Sequence, residues 1–236
     1  MRRALCLLGI CAWVTAQDLR TPGEEVLAGI KQALREARSE EAVKLLGEVG
    51  GLYRYPASPE EAKALLQAAG DAARARDPAV AKAALRALGE TRSPDAGQHI
   101  EPLLRQLKPT PQQRELALAA LWAAARTPSS VLVQPLVAQA RKGYDLTLAE
   151  EAFKALGGFH AAPPDLRARV ADQLLTTALL VSRKSRRWRR LRAPALMALQ
   201  QVIGRPLNNV RQFTEWWAVA RNRADPFTTP SSPAGK

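Results

Sequence analysis

The sequence predicts an all-α protein built from stacked helix pairs, on three observations. From Asp18 to about Arg223 apolar residues recur at helical spacing, with no sustained alternation and no cluster of β-branched residues to mark a strand. Helix starts are signalled repeatedly by Ser or Thr followed by Pro. An Ala/Leu-rich helix ending returns five times, at intervals that suit a pair of helices.

In chain order, the N-terminus MRRALCLLGICAWVTAQ has the form of an export signal. Arg2 and Arg3 precede an apolar run from Ala4 to Val14, and Val14-Thr15-Ala16 puts modest side chains where a signal peptidase would cut, before Gln17. The run is too short to span a bilayer, which takes about 20 residues. A buried core helix or a transit peptide is the alternative reading. On the export reading residues 1–16 are removed and the chain is periplasmic or secreted. Cys6 and Cys11 both lie in that segment, so the mature chain has no thiol for a disulfide or a metal site.

Thr21-Pro22-Gly23-Glu24, Ser58-Pro59-Glu60-Glu61 and Thr110-Pro111-Gln112-Gln113 each place a hydroxyl at the N-cap, Pro at the first helical position and Glu or Gln at the third. The hydroxyl accepts from unpaired backbone N–H groups, and the third residue can reach back to the N–H of the cap. Proline suits the first position because its missing donor would have had no partner there. Ser93-Pro94-Asp95 and Thr127-Pro128 are expected to repeat the first half of this arrangement. The pairs Glu24-Glu25, Glu40-Glu41, Glu60-Glu61 and Glu150-Glu151 are read as first-turn residues complementing the helix dipole, rather than as acid/base pairs.

The recurring segments are AVKLLGEVGG (42–51), AALRALGETRSPD (83–95), LAALWAAARTPSS (118–130), EAFKALGGFHAAPPD (151–165) and ALMALQQVIGRPLNN (195–209). Aligning Leu46, Leu88, Leu121, Leu156 and Leu199 gives spacings of 42, 33, 35 and 43 residues. Periods of this size belong to helix-pair solenoids, whose small residues let neighbouring helices pack closely. The glycine that follows Ala-Leu is expected to stop its helix in the left-handed conformation. The Ala-x-x-Ala-Leu-Gly pattern, with the turn into Gly97-Gln98-His99-Ile100-Glu101-Pro102-Leu103-Leu104, resembles HEAT repeats over most of the chain. The segment VRQFTEWWAVARNR (210–223) resembles the short Trp-Trp helix that closes many exported bacterial HEAT-repeat proteins, although Val202-Ile203-Gly204 stands where Leu-Thr-Gly is usual. The resemblance implies a right-handed solenoid of about ten or eleven antiparallel helices over residues 17–224. Phe213, Trp216, Trp217, Val219 and Ala220 are then a lid over the last repeat, which has no neighbour to cover it. An aromatic ligand platform is the alternative. Residues 225–236 are Pro/Ser/Thr-rich and expected to be a disordered tail.

Chemistry is sparse. His99 and His160 are the two histidines, neither in a metal-ligand spacing, and no nucleophile elbow or phosphate loop occurs. The expectation is a binding scaffold rather than an enzyme, with no cofactor and no metal. Charge gives the one positive signal. Residues 17–182 carry 21 basic and 20 acidic side chains, whereas residues 183–236 carry 12 basic and two acidic. Within the run RKSRRWRRLR, Arg183, Lys184, Arg186, Arg187, Arg189, Arg190 and Arg192 are the candidate contacts to an anionic partner. Trp188, Leu191, Ala195, Leu199 and Val202 form a helical apolar stripe beside them, and Pro194 kinks this helix or begins a new one. The simplest alternative is a solvated face whose arginine stems cover the core. Like charges one turn apart repel, however, and packing alone does not require one sign. The partner expected is a protein in the groove, with an acidic protein, glycan or lipid of the envelope at the basic end. The competing reading is nucleic-acid binding, since HEAT-like DNA alkyl-base glycosylases have a similar size and a basic concave face. No acidic residue occurs from 173 to 214 to supply their catalytic carboxylate.

Overall fold

The computed structural model describes residues 20–106, 110–142, 145–183, 186–223 and 225–227. Among them are eleven α-helices and no strand. The helices are α1 (Pro22–Arg35), α2 (Ser39–Arg54), α3 (Pro59–Ala72), α4 (Pro78–Thr91), α5 (Gly97–Gln106) and α6 (Pro111–Arg126). They continue with α7 (Val133–Arg141), α8 (Leu146–Gly157), α9 (Pro164–Arg183), α10 (Arg192–Ile203) and α11 (Val210–Ala220). Each odd helix packs against the even helix that follows it. The even helices also stack in order, α2 on α4, α4 on α6, α6 on α8 and α8 on α10. The odd helices do the same from α1 to α9, with α11 added on α9. The result is an all-α solenoid of two layers, as the sequence predicts. Leu46, Leu88, Leu121, Leu156 and Leu199 are all buried, one on each even helix.

The glycines after Ala-Leu do something other than stop helices. Gly89 and Gly157 keep right-handed helical backbone, because the left-handed positions of the described chain fall at Ala37, Arg92 and Gly204. What these two glycines provide is proximity between even helices. A Cβ on Gly89 would lie 2.6 Å from the Trp122 ring and 3.1 Å from the Cα of Ala123, and one on Gly157 would collide with the side-chain amide oxygen of Gln201 on α10. A third, Gly158, faces the backbone of α6, where a Cβ would lie 2.3 Å from the carbonyl oxygen of Ala125.

Helix starts follow the predicted chemistry with two exceptions. Thr21 forms the complete capping box with Glu24, Ser58 accepts from the N–H of Glu61, and Thr110 accepts from that of Gln113. Ser93 caps a 3-10 turn, Pro94–Ala96, that leads into α5. Thr127 is not an N-cap: it ends α6, fully buried, and its hydroxyl donates to the carbonyl of Ala123. A Ser/Thr hydroxyl can bond back to the preceding turn as readily as forward, and here burial selects the backward bond. Glu150 and Glu151 lie in the second turn of α8, because that helix starts early, from an Asp145 cap that accepts from Thr147 and Leu148. Asp77 and Asn209 are further caps, for α4 and α11. The N-termini of neighbouring units are also tied together. The Thr21 hydroxyl donates to Glu61 across α1 and α3, and a hydrogen bond from Ser39 reaches Asp77 across α2 and α4.

The far end is closed by aromatic side chains. Phe213, Trp217 and Ala220 are buried and Trp216 half-buried, so they form the lid; Val219 is exposed at 62% and does not belong to it. The Trp217 indole donates to the Asp172 carboxylate of α9 at 2.6 Å. Phe227, within the segment expected to be a tail, packs on Trp217 at 5.9 Å between ring centroids. On its other side lies the Arg167 guanidinium, 3.9 Å from the ring, which also donates twice to the Val202 carbonyl.

Candidate functional site

The basic run folds as a connection rather than a continuous helix. Helix α9 ends at Arg183, a 3-10 turn spans Arg186–Leu191, and α10 begins at Arg192 with Pro194 in its first turn. Proline needs no amide partner there, so it begins the new helix instead of kinking an old one. Leu191, Ala195, Leu199 and Val202 are fully buried and Trp188 is half-buried against the core, which realises the predicted stripe. Lys184 and the side chains of Arg183, Arg186 and Arg187 lie outside the described residues. The other three arginines are exposed. Arg192 donates to the Ser182 carbonyl at 2.7 Å, which ties the start of α10 to the end of α9. Arg190 approaches Glu150 of α8 at 3.5 Å. Arg189 has no ion pair among the described residues. Folding thus employs two of these three cations and leaves the third to solvent.

A second feature went unnoticed in the sequence: a groove of about 550 Å³ between α2 and α4. Its walls are two stripes with identical spacing. Val43, Leu46, Gly47, Gly50, Gly51 and Arg54 line it from α2. Ala79, Lys82, Ala83, Arg86, Ala87 and Glu90 line it from α4. Each stripe covers about 16 Å of helix at 1.5 Å per residue. Gly50 is needed for the approach of the two helices, since a Cβ there would lie 2.5 Å from that of Glu90. Gly47 and Gly51 differ: both are exposed, and a Cβ on either would meet nothing within 4 Å. Glycine inside a helix costs about 1 kcal/mol relative to alanine, and packing within this chain does not call for these two. The rim is cationic. Lys82 pairs with Glu115 at 2.9 Å and Arg54 approaches Glu90 at 3.9 Å, while Arg86 has no ion pair among the described residues.

The histidines are placed apart. His160 sits exposed in a 3-10 turn, its Nδ1 3.3 Å from the Gly157 carbonyl oxygen. His99 is half-buried on α5 against Gly70 of α3. Burial holds its pKa below the ordinary 6.5, Arg74 adds to the effect, and Asp71 opposes it. Among the described residues no three His, Cys, Asp or Glu side chains gather as a metal site, and no helix is long and apolar enough to cross a membrane.

No known family and no curated protein matches the chain. Among solved structures, the crystal structure of an engineered protein from the Northeast Structural Genomics Consortium is similar to it, with a TM-score of 0.52 at 18% identity. The match covers 84% of this chain and 86% of that one. At that identity the likeness is one of fold alone, and the fold it supports is the helical solenoid described above.

Proposed function

We propose that this chain is an exported, HEAT-like binding module, not an enzyme, whose arginine-rich turn between α9 and α10 meets an anionic surface of the cell envelope. The observation that carries the proposal is the concentration of cations of one sign in a single connection between two helices. Seven of the ten residues 183–192 are Lys or Arg, and the exposed Arg189 has no ion pair among the described residues. Each such charge contributes about 1 kcal/mol near an anionic lipid surface, less at higher salt. The export signal in residues 1–16 favours an acidic protein, glycan or lipid outside the cytoplasm over a nucleic acid.

Replacing Arg186, Arg187, Arg189 and Arg190 together by Gln tests this. The helical circular dichroism should be unchanged, and binding to heparin and to phosphatidylglycerol vesicles should weaken by about tenfold or more. Unchanged binding to both refutes the anionic contact. Duplex DNA bound more tightly than either turns the reading to nucleic acid. Export is read independently: the native protein should begin at Gln17, and a native N-terminus at Met1 refutes it.

A further inference from the structure

We infer that the groove between α2 and α4 seats an acidic amphipathic helix of a partner protein. The inference rests on the reading of the chain as a binding module and concerns a surface remote from the arginine-rich turn. Three observations converge on that occupant.

The first is shape. Gly47 and Gly51 on one wall, and Ala79, Ala83 and Ala87 on the other, recur every fourth residue, so each wall presents its smallest side chains along one helical row. Low rows on both sides of a straight groove let the backbone of a third helix settle between them, in the ridge-and-groove manner of helix packing. The second is the apolar lining, where the half-buried Val43 and Ala83 and the exposed Ala79 offer a surface for the hydrophobic face of such a helix, above the buried Leu46. The third is charge. Arg54, Lys82 and Arg86 face Glu90 alone on the groove walls, and Arg86 has no ion pair among the described residues. A helix flanked by carboxylates complements that rim; one flanked by lysines does not.

Gly47 and Gly51 make the inference sharp. Each weakens its own helix, and nothing in the chain fills the space where a side chain would stand. Space kept open at the expense of helix stability is space for something else. Replacing both by Ala should therefore strengthen the fold and weaken the binding, a pair of effects opposite to those of a merely structural site.

The test uses the full chain and two fluorescein-labelled amphipathic peptides of about 18 residues, long enough to hold some helix in water. Both have Leu and Ala on one face; one carries Glu on its flanks and the other Lys. By fluorescence anisotropy the Glu peptide should bind about tenfold or more tightly than the Lys peptide. The double variant G47A/G51A should lose about tenfold in affinity for the Glu peptide, while its urea midpoint rises. R86Q should weaken the Glu peptide a few-fold. No binding of the Glu peptide, equal binding of the Lys peptide, or wild-type affinity in G47A/G51A overturns the inference. The four-arginine variant should hold the Glu peptide as the wild type does. Loss of vesicle binding with the peptide still held bears on the turn alone, and vesicle binding without peptide binding sinks the groove alone.

Discussion

Arg92 and Gly204 each stop an even helix in left-handed backbone, at φ 54° and φ 70° respectively. A side chain in that conformation costs about 1–2 kcal/mol, and glycine does not incur it. R92G should therefore stabilise the chain by about 0.5–1 kcal/mol, and G204A should destabilise it by about 1 kcal/mol. A Cβ at Gly204 meets nothing within 4 Å, so its effect is one of backbone alone. Urea unfolding of the two variants, which should move in opposite directions, is the check. His99 gives a second expectation at this scale. Its folded pKa lies below the 6.5 of the unfolded chain because burial disfavours the charged ring. As pH falls through 6.5 the unfolded state takes up a proton that the folded state does not, so stability declines until the folded pKa is passed. The decline cannot exceed about 1.4 kcal/mol per pH unit for one proton. H99Q should flatten the stability profile as pH falls from neutral through 6.5, while leaving the loss at lower pH that comes from Glu61 and Asp77. Both carboxyls are held below their ordinary values, Glu61 chiefly by the Thr21 hydroxyl and Asp77 chiefly by that of Ser39. Their contribution is present above the unfolded pKa and disappears as pH falls through the folded one.

Between elements, the decisive contacts are those where an even helix meets the unit after it. Gly158, at the end of α8, abuts the Ala125 carbonyl of α6, and backbone cannot yield as a flexible side chain can. G158A should therefore cost about 2 kcal/mol or more in urea unfolding, whereas Ala at Gly47, also in an even helix, should cost nothing. The sequence does not separate these two classes of glycine. Both follow an apolar run of an even helix, and a glycine that stops a helix leaves the same local signature as one that admits a neighbour. The same ambiguity explains Thr127, since a hydroxyl before proline can close the helix behind it or open the one ahead. It also explains Glu150 and Glu151, whose place in the second turn follows from a cap at Asp145 that precedes no proline. The five leucines were legible for the opposite reason. Burial on one face of a helix imposes a period, and a period survives in the sequence whatever the neighbour turns out to be.

For the molecule as a whole, the all-α solenoid and its closed aromatic end were readable because repetition adds weak signals together. Val219 escaped the reading because it shares a helix with Trp216 and Trp217 but faces away from α9. The arginine-rich turn was visible as composition, yet the bonds that occupy Arg190 and Arg192 depend on Glu150 and Ser182, which only the fold brings near. The groove was the least legible feature. Its two stripes lie 36 residues apart, and neither is unusual by itself, as residues 43–54 and 79–90 read like ordinary Ala- and Gly-containing helices. What makes a site of them is that α2 and α4 stand side by side in the even layer.

That layer also acts as a ruler. From α2 to α10 there are four helix-to-helix steps of about 8–10 Å each, or roughly 30–40 Å in all. On the two proposals together, a helix held between α2 and α4 would sit at one end of this stack and the anionic surface met by the turn before α10 at the other. Both could be engaged at once without competition. The stack would then fix how far above that surface the partner is displayed, and a protein with one repeat more or fewer would display it at a different height.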